Sequence, residues 1–452
     1  MYDIRITNSR IVNFESGKAE ESDLFLKDGK IALIGSSSKA AKLTIDADGK
    51  LVSPGFIDIH MHEETLDLDA KDPYYTSYCE LRMGVTTCVA GCCGRNRQPI
   101  DIFRSYIEKN GAPVNYLTSL GHITLREQVG CDDRYRKASP AELEKMKRLV
   151  GENEKHNFLG ISYGIEYVPG VDLEELVEIT KVLSKDTYIS SAHYRSDGEN
   201  SLAALEEMCE ISRLSGLPMQ VSHIGSAAAM GQMKDFLKLL EKKISENNTI
   251  RADCYPYEAF ATKIGSAVFD EGCFERWGKD YSDILLTEEP FKNQRCDKEL
   301  FEKVRKEHPN MVVVAFVMRE EEVAEALRFP FTFVGSDSLF SNSTSGHPRG
   351  AGTFPRVLSR YVRELKSMEF MDALCKMTKA PAKRLGLTSK GDIKEGMDAD
   401  ITIFDENTIK DGATFQEPTL PPTGISYVIL GGELAVENGR IVNGRLGRYI
   451  PV

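Results

Sequence analysis

The chain contains no run of about 18 apolar residues, the length a helix needs to cross a bilayer. It has no surplus of positive charge either: 57 Lys and Arg stand against 69 Asp and Glu, a net charge of -12. Lys and Arg drive phosphate binding, so neither nucleic acid nor an anionic membrane surface is an expected partner. A small anionic substrate stays compatible, since a few local basic side chains would hold it. The opening Met1-Tyr2-Asp3-Ile4-Arg5-Ile6-Thr7 lacks the basic start and long apolar segment of a secretory signal. Ten cysteines scattered over 452 residues do not make a dense disulfide framework and suit a reducing cytosol. A cytoplasmic location is therefore the expectation. Internal repeats and low-complexity tracts are absent.

What is present is the composition of a globular protein, 41% apolar and 28% charged, in a chain long enough to bury a large core. The two ends are alike in style and differ from the middle. Residues 1–50 alternate short strands with tight turns such as Asp28-Gly29, and residues 391–452 do the same around Gly431-Gly432 and Asn438-Gly439. Gly and Asn accept the positive φ that hairpin turns require. Neither end has enough strands for a core of its own, which predicts one small β-sandwich built from both termini. Residues 51–390 alternate apolar strands with amphipathic segments. The strands fall at 55–60, 86–92, 114–121, 158–166, 188–193, 218–223, 250–255 and 331–336. That pattern predicts an α/β fold, a (β/α)8 TIM-like barrel rather than an open sheet. Residues 258–330 are too long for an ordinary connection and read as an insertion or lid before the last strand. The eight-strand count requires residues 311–317 to be an inserted strand, a step that rests on the resemblance described below.

The most telling run is Leu51-Val-Ser-Pro-Gly-Phe-Ile-Asp-Ile-His60-Met-His62. Residues two apart on a strand share a face, so both imidazoles leave the strand end together. Two neutral imidazoles converging on one point suit a metal ion, zinc being the usual occupant. Working residues of such barrels sit at the C-terminal ends of the strands. At those ends stand Cys93 (strand two), Glu166 (four), His193 (five), His223 (six) and Asp337 (eight). Four of only eight histidines fall at strand ends. Singly, each residue has an ordinary explanation: a buried histidine, a core cysteine, a salt-bridged carboxylate or a helix cap. Jointly those explanations fail. Cys92 points to the other side if the strand continues, so only Cys93 of the pair can face the site.

His-x-His on strand one, His on five, His on six and Asp on eight together resemble the amidohydrolase superfamily. The chain is most similar to the D-aminoacylases within it. The motifs are Gly91-Cys-Cys93-Gly94, Asp253-Cys-Tyr-Pro-Tyr257 and His347-Pro-Arg349-Gly-Ala-Gly-Thr-Phe-Pro-Arg356. The tail Gly391-Asp-Ile-Lys-Glu-Gly-Met-Asp-Ala-Asp400 belongs to the same likeness. The resemblance implies Cys93, His193 and His223 as tight zinc ligands, with His60, His62 and Asp337 at a weaker second position. It implies one or two Zn2+ ions and Asp337 as general acid/base, with Glu166 as the alternative. Hydantoinase-like relatives bridge two metals with a carboxylated lysine near strand four, but residues 156–180 contain no lysine. Either Cys93 or Glu166 would then bridge.

For the substrate, Arg349 resembles the arginine that holds an α-carboxylate, a task suited to its planar fork. Tyr257 resembles a second contact to that carboxylate, His347 belongs to the same motif, and Tyr194 and Arg195 are candidates for the pocket wall. Two positions depart from the family: Ala261 stands where a serine is expected, and Gly225 where acidic-substrate members carry lysine. The second argues against an N-acyl-D-glutamate preference. The expected reaction is zinc-dependent hydrolysis of a small-molecule N-acyl-D-amino acid to a carboxylate and a free D-amino acid. The alternatives are a cyclic-amide hydrolase of the hydantoinase or dihydroorotase kind, and a metal-free scaffold.

Overall fold

Two-residue turns shape the chain ends in the computed structural model, which describes residues 1–184 and 187–452. Asp28 and Gly29 both take positive φ (51° and 75°), as do Asn438 and Gly439 (47° and 76°). That geometry matches the twist of the flanking strands, and it folds Lys18–Lys27 onto Lys30–Ile34 and Glu433–Glu437 onto Arg440–Ile441. The termini then join, Leu51–Pro54 pairing antiparallel with Ile401–Phe404. One hydrogen-bonded sheet of nine strands results, with a core of its own around Ile4, Ile6, Leu24, Leu26, Ile401 and Ile403. Residues 51–54 lie in this sheet, so the boundary expected after residue 50 falls after Pro54.

The barrel strands are β1 Phe56–Asp58, β2 Val85–Ala90, β3 Asn115–Thr118, β4 Ile161–Gly164, β5 Ser190–His193, β6 Met219–Val221, β7 Arg251–Cys254 and β8 Thr332–Val334. Neighbours pair in parallel, the step from β3 to β4 passing through the extension Leu120–Gly121. The ring closes between β8 and β1. Asp337 N–H donates to His60 O at 2.7 Å, and His62 N–H to Ser338 O at 3.1 Å. Parallel strands buried on both faces read as near-continuous apolar runs, which is why all eight are visible in the sequence. The helices between them carry local signals. Pro140–Asn153 starts with a capping box between Ser139 and Glu142. Met233–Glu246 buries Met233, Phe236, Leu240 and Ile244, one face of a 3.6-residue period.

Between β7 and β8 an antiparallel sheet is inserted, with Val312–Ala315 between Phe260–Lys263 and Ile284–Leu286. The following helix Glu320–Arg328 packs on β7 and β8 and is the barrel's own crossover. The inserted unit therefore ends before Glu320, short of the 330 expected. Among the described residues no helix is long and apolar enough to cross a membrane.

One ionic cluster is locked inside the barrel wall. Glu175 accepts from Arg126 Nη1 at 2.7 and 2.8 Å and faces His122 Nε2 at 2.8 Å. All three side chains are buried. Burial alone pushes the Glu175 carboxyl up; the His122 and Arg126 contacts more than reverse this, to about 2. Removing one partner of a buried ion pair strands the other charge. Glu175→Gln should thus lose about 3–5 kcal/mol of stability at neutral pH, read by urea unfolding. Because the folded-state value is depressed, the wild-type contribution is complete above the unfolded value of about 4.3 and fades as pH falls toward 2. The gap between variant and wild type should close over that same interval.

Candidate metal centre and active site

The strand ends carry the residues that the pattern singles out, and three of them have unusual backbones. Cys93, His223 and Asp337 lie in the left-handed region, with φ of 51°, 34° and 49°. Each such residue costs of order 1–3 kcal/mol and persists only where its surroundings over-determine it. Here they bring ligating atoms together. The donor atoms of His60, His62, Cys93 and Asp337 lie within 4.8 Å of one another, and so do those of Cys93, His193 and His223. Cys93 is common to both groups: its Sγ is 3.3 Å from His60 Nε2 and 3.4 Å from His223 Nε2. Sulfur and nitrogen ligands on one tetrahedral zinc stand roughly 3.6 Å apart, so this spacing suits a shared ion.

Donor chemistry fits as well. Among the described residues His193 Nδ1, a buried atom, has no hydrogen-bond partner, while its Nε2 faces Glu166 Oε2 at 2.8 Å. Burial holds His193 down at about 3 and His223 well below its ordinary value, which keeps both imidazoles neutral, the form that binds metal. Burial also raises the Cys93 thiol, with the Asp337 charge adding to it. A divalent cation would reverse that order, since a coordinating thiol is deprotonated outright.

An outer ring of side chains fixes these donors. Asp253, at the end of β7, faces His60 Nδ1 at 3.3 Å and accepts the His223 N–H at 2.7 Å. One carboxylate thus orients a histidine of each group, leaving both Nε2 atoms for the centre. Ser226 Oγ lies 3.0 Å from His223 Nδ1 and accepts from Tyr194 OH at 2.9 Å. Glu63 accepts the N–H groups of Gly91 and Arg97, both at 2.9 Å, and so grips the Cys93 loop at two points. Gly164 is required by close approach: a Cβ there would stand 2.3 Å from Cys93 O.

Asp337 sits at the junction. Its Oδ1 is 3.0 Å from His62 Nε2 and 3.5 Å from His60 Nε2, and its Oδ2 is 3.0 Å from an Arg349 Nη. Burial alone would raise its carboxyl; the Arg349 charge, then His223 and the His62 hydrogen bond, hold it well below the usual carboxylate range. Above these residues opens a cavity of about 410 Å³ lined by His62, Cys93, His193, His223 and Asp337 at its floor.

Comparison with known proteins agrees with this geometry. The family model described as Amidohydrolase family matches residues 43–316 and 297–436. The D-aminoacylase of Alcaligenes xylosoxydans xylosoxydans is 30% identical over 99% of this chain and 97% of its own length. The chain belongs to the amidohydrolase family. The N-acyl-D-aspartate deacylase of the same organism is 28% identical over 99% and 95%. A D-aminoacylase crystal structure superposes with a TM-score of 0.89 at 28% identity, covering 99% of each chain. The N-acyl-D-glutamate deacylase of Bordetella bronchiseptica, complexed with zinc and a phosphonate inhibitor, superposes at 0.88 and 27%, each chain fully covered. An L-hydantoinase at 18% identity and 0.65 shares the fold.

In this amidohydrolase several expected residues lie elsewhere. Glu166, one of the two bridging candidates, is in neither ligand group; it faces His193 Nε2 and lines the cavity. Arg195 is held by Glu207 and by the carbonyls of Pro169 and Val171, outside the cavity. Tyr257 is buried under the Arg356 guanidinium, its hydroxyl donating to Pro348 O. His347 donates from Nε2 to Ala259 O and accepts the Arg349 N–H at Nδ1, so it positions Arg349 rather than facing the cavity. Arg349 itself is buried beside the cavity lining; its Nε donates to Asp337 O and Nη2 to Ala261 O, while Nη1 has no partner among the described residues. Tyr194 does line the cavity. Asp253, Glu63 and Ser226 escaped the sequence reading. Only Asp253 had a signal, a carboxylate ending strand seven within a motif already noted. Replacing it, Asp253→Asn, should weaken metal affinity about 10–100-fold, measured by competition with a chromogenic chelator.

Proposed function

We propose that this amidohydrolase is a zinc-dependent deacylase that hydrolyses N-acyl-D-amino acids to a carboxylate and a free D-amino acid. The observation that carries the reading is Cys93 Sγ, shared between two ligand groups, one of which contains the ionised Asp337. His193 and His223 with Cys93 would hold the first ion; His60, His62 and Asp337 with Cys93 would hold a second. Zinc bound there lowers the pKa of water to roughly 7 and polarises a carbonyl.

The protein's own groups do the remainder. Asp337, kept ionised by Arg349, accepts the proton of the attacking water and delivers it to the departing amide nitrogen, without which the amine cannot leave. Asp253 and Glu166 hold His60 and His193 in orientation while this happens. Arg349, whose Nη1 has no partner among the described residues, would meet the α-carboxylate of the substrate. Tyr194 and the apolar side chains of Ile123, Val168 and Leu339 exclude water around the rest. A cyclic-amide hydrolase of the hydantoinase kind would place a carboxylated lysine near β4; residues 156–180 contain none, and Cys93, common to both ligand groups, would be the shared ligand of two ions. Ten free cysteines suit a reducing compartment, and we place the enzyme in the cytoplasm.

Purified, zinc-loaded protein should turn over N-acetyl-D-amino acids in preference to their L forms; activity on L forms alone, or on cyclic amides alone, would remove the assignment. Asp337→Asn should keep at least one equivalent of zinc by metal analysis and lose about 10²–10⁴-fold in kcat. Unchanged turnover in that variant would transfer the acid/base role to Glu166.

A further inference from the structure

Basic side chains without an ion-pair partner stand in the lining of the cavity, with Asp132 and the Arg95-paired Glu127 among the carboxylates there. Arg97, Arg134 and Lys263 line it, and among the described residues none of the three enters an ion pair. Their neighbours behave differently: Arg95 is paired with Glu127 at 2.6 Å and Arg126 with Glu175 at 2.7 Å. Arg134 Nη1 donates to Gly265 O at 3.0 Å and Lys263 Nζ to Asn310 Oδ1 at 3.2 Å, neutral partners both. The Arg97 guanidinium makes no hydrogen bond among the described residues.

Arg97 and Lys263 come from different elements. The first stands four residues beyond Cys93, on the loop gripped by Glu63. The second ends the strand Phe260–Lys263 of the inserted sheet. Both side chains line the one cavity; partial burial, then the charges of Arg97 and Arg95, lower the Lys263 ammonium, with Glu127 and Glu288 opposing. Like charges gathered in one cavity wall repel and raise the local concentration of an anion. The α-carboxylate is already matched by Arg349, behind Asp337. The wall near β6 is neutral, with Gly225 and Ser226.

We propose that Arg97 and Lys263 form a second anion subsite, so that the preferred substrate is a dicarboxylic N-acyl-D-amino acid. The second carboxylate sits on the acyl group or on the amino-acid side chain. This rests on the deacylase reading. Arg97 and Lys263 act on binding rather than on the reacting bond, so their effect falls on KM.

The test is an assay of zinc-loaded enzyme on N-acetyl-D-alanine, N-succinyl-D-alanine and N-acetyl-D-glutamate. At least one dicarboxylic compound should exceed N-acetyl-D-alanine in kcat/KM by about tenfold, through KM, and salt should shrink that advantage. Arg97→Gln and Lys263→Gln should each reduce the advantage about three- to tenfold, whereas Lys238→Gln, on the outer helix Met233–Glu246, should not. An advantage for the succinyl compound places the second carboxylate on the acyl group; one for N-acetyl-D-glutamate places it on the side chain. Turnover of N-acetyl-D-alanine without a dicarboxylic advantage, or an advantage untouched by both variants, overturns the subsite and leaves the deacylase reading intact. Turnover of none of the three overturns the deacylase reading instead. Glutarate binding by calorimetry then decides the subsite separately, equal affinity in wild type and Arg97→Gln being the result against it.

Discussion

Asp58 Oδ1 accepts two main-chain N–H groups, from His60 at 3.0 Å and from Ser336 at 2.9 Å, and so fastens the first barrel strand to the last. Almost everything in the site hangs on that seam. The hydrogen bonds from Asp337 N–H to His60 O and from His62 N–H to Ser338 O continue it upward. They put a carboxylate from residue 337 against two imidazoles from residues 60 and 62. Ser336 Oγ donates to Glu80, a second buried carboxyl behind the seam. Without closure, the ligands from β1 and from the end of β8 would belong to opposite edges of an open sheet.

Around the seam the centre is held by low polarity as much as by contacts. Burial keeps the imidazoles of His193 and His223 neutral, while Arg349 and the surrounding histidines keep Asp337 charged. The same environment thus drives neighbouring groups toward opposite states, each the state required for its part in hydrolysis. The backbone pays for this arrangement in strained φ at Cys93, His223 and Asp337. Glu63 and Asp253 hold two of those three in place through the main chain: Glu63 through Gly91 and Arg97, Asp253 through His223 N–H.

The inserted sheet between β7 and β8 gives the barrel a second wall. Its edge strand contributes Phe260, Ala261, Thr262 and Lys263 to the cavity, opposite barrel-loop residues such as Cys93 and Arg97 in the same lining. The ligand groups come from the ends of the barrel strands and follow the family motifs; the charged mouth draws on both parts, Arg97 from a barrel loop and Lys263 from the insertion, and coincides with none of those motifs.

The strands, the helices between them and the identity of six ligand candidates were legible in the chain. Buried parallel strands are written as local apolar runs, and His60 and His62 share a face because a strand has period two. The turns at Asp28-Gly29 and Asn438-Gly439 were equally plain, since positive φ leaves a residue signature. Partnerships were not legible. That Glu166 pairs with His193 and stays out of both ligand groups, that Arg195 turns to Glu207, and that Tyr257 packs under Arg356 depend on which side chains the closed barrel brings into contact. Asp253 needed the ring as well, because it serves His60 across some 190 positions of sequence. A residue's type and strand position are set by its near neighbours in the chain; its hydrogen-bond partner is set by closure of the ring, which no local pattern encodes.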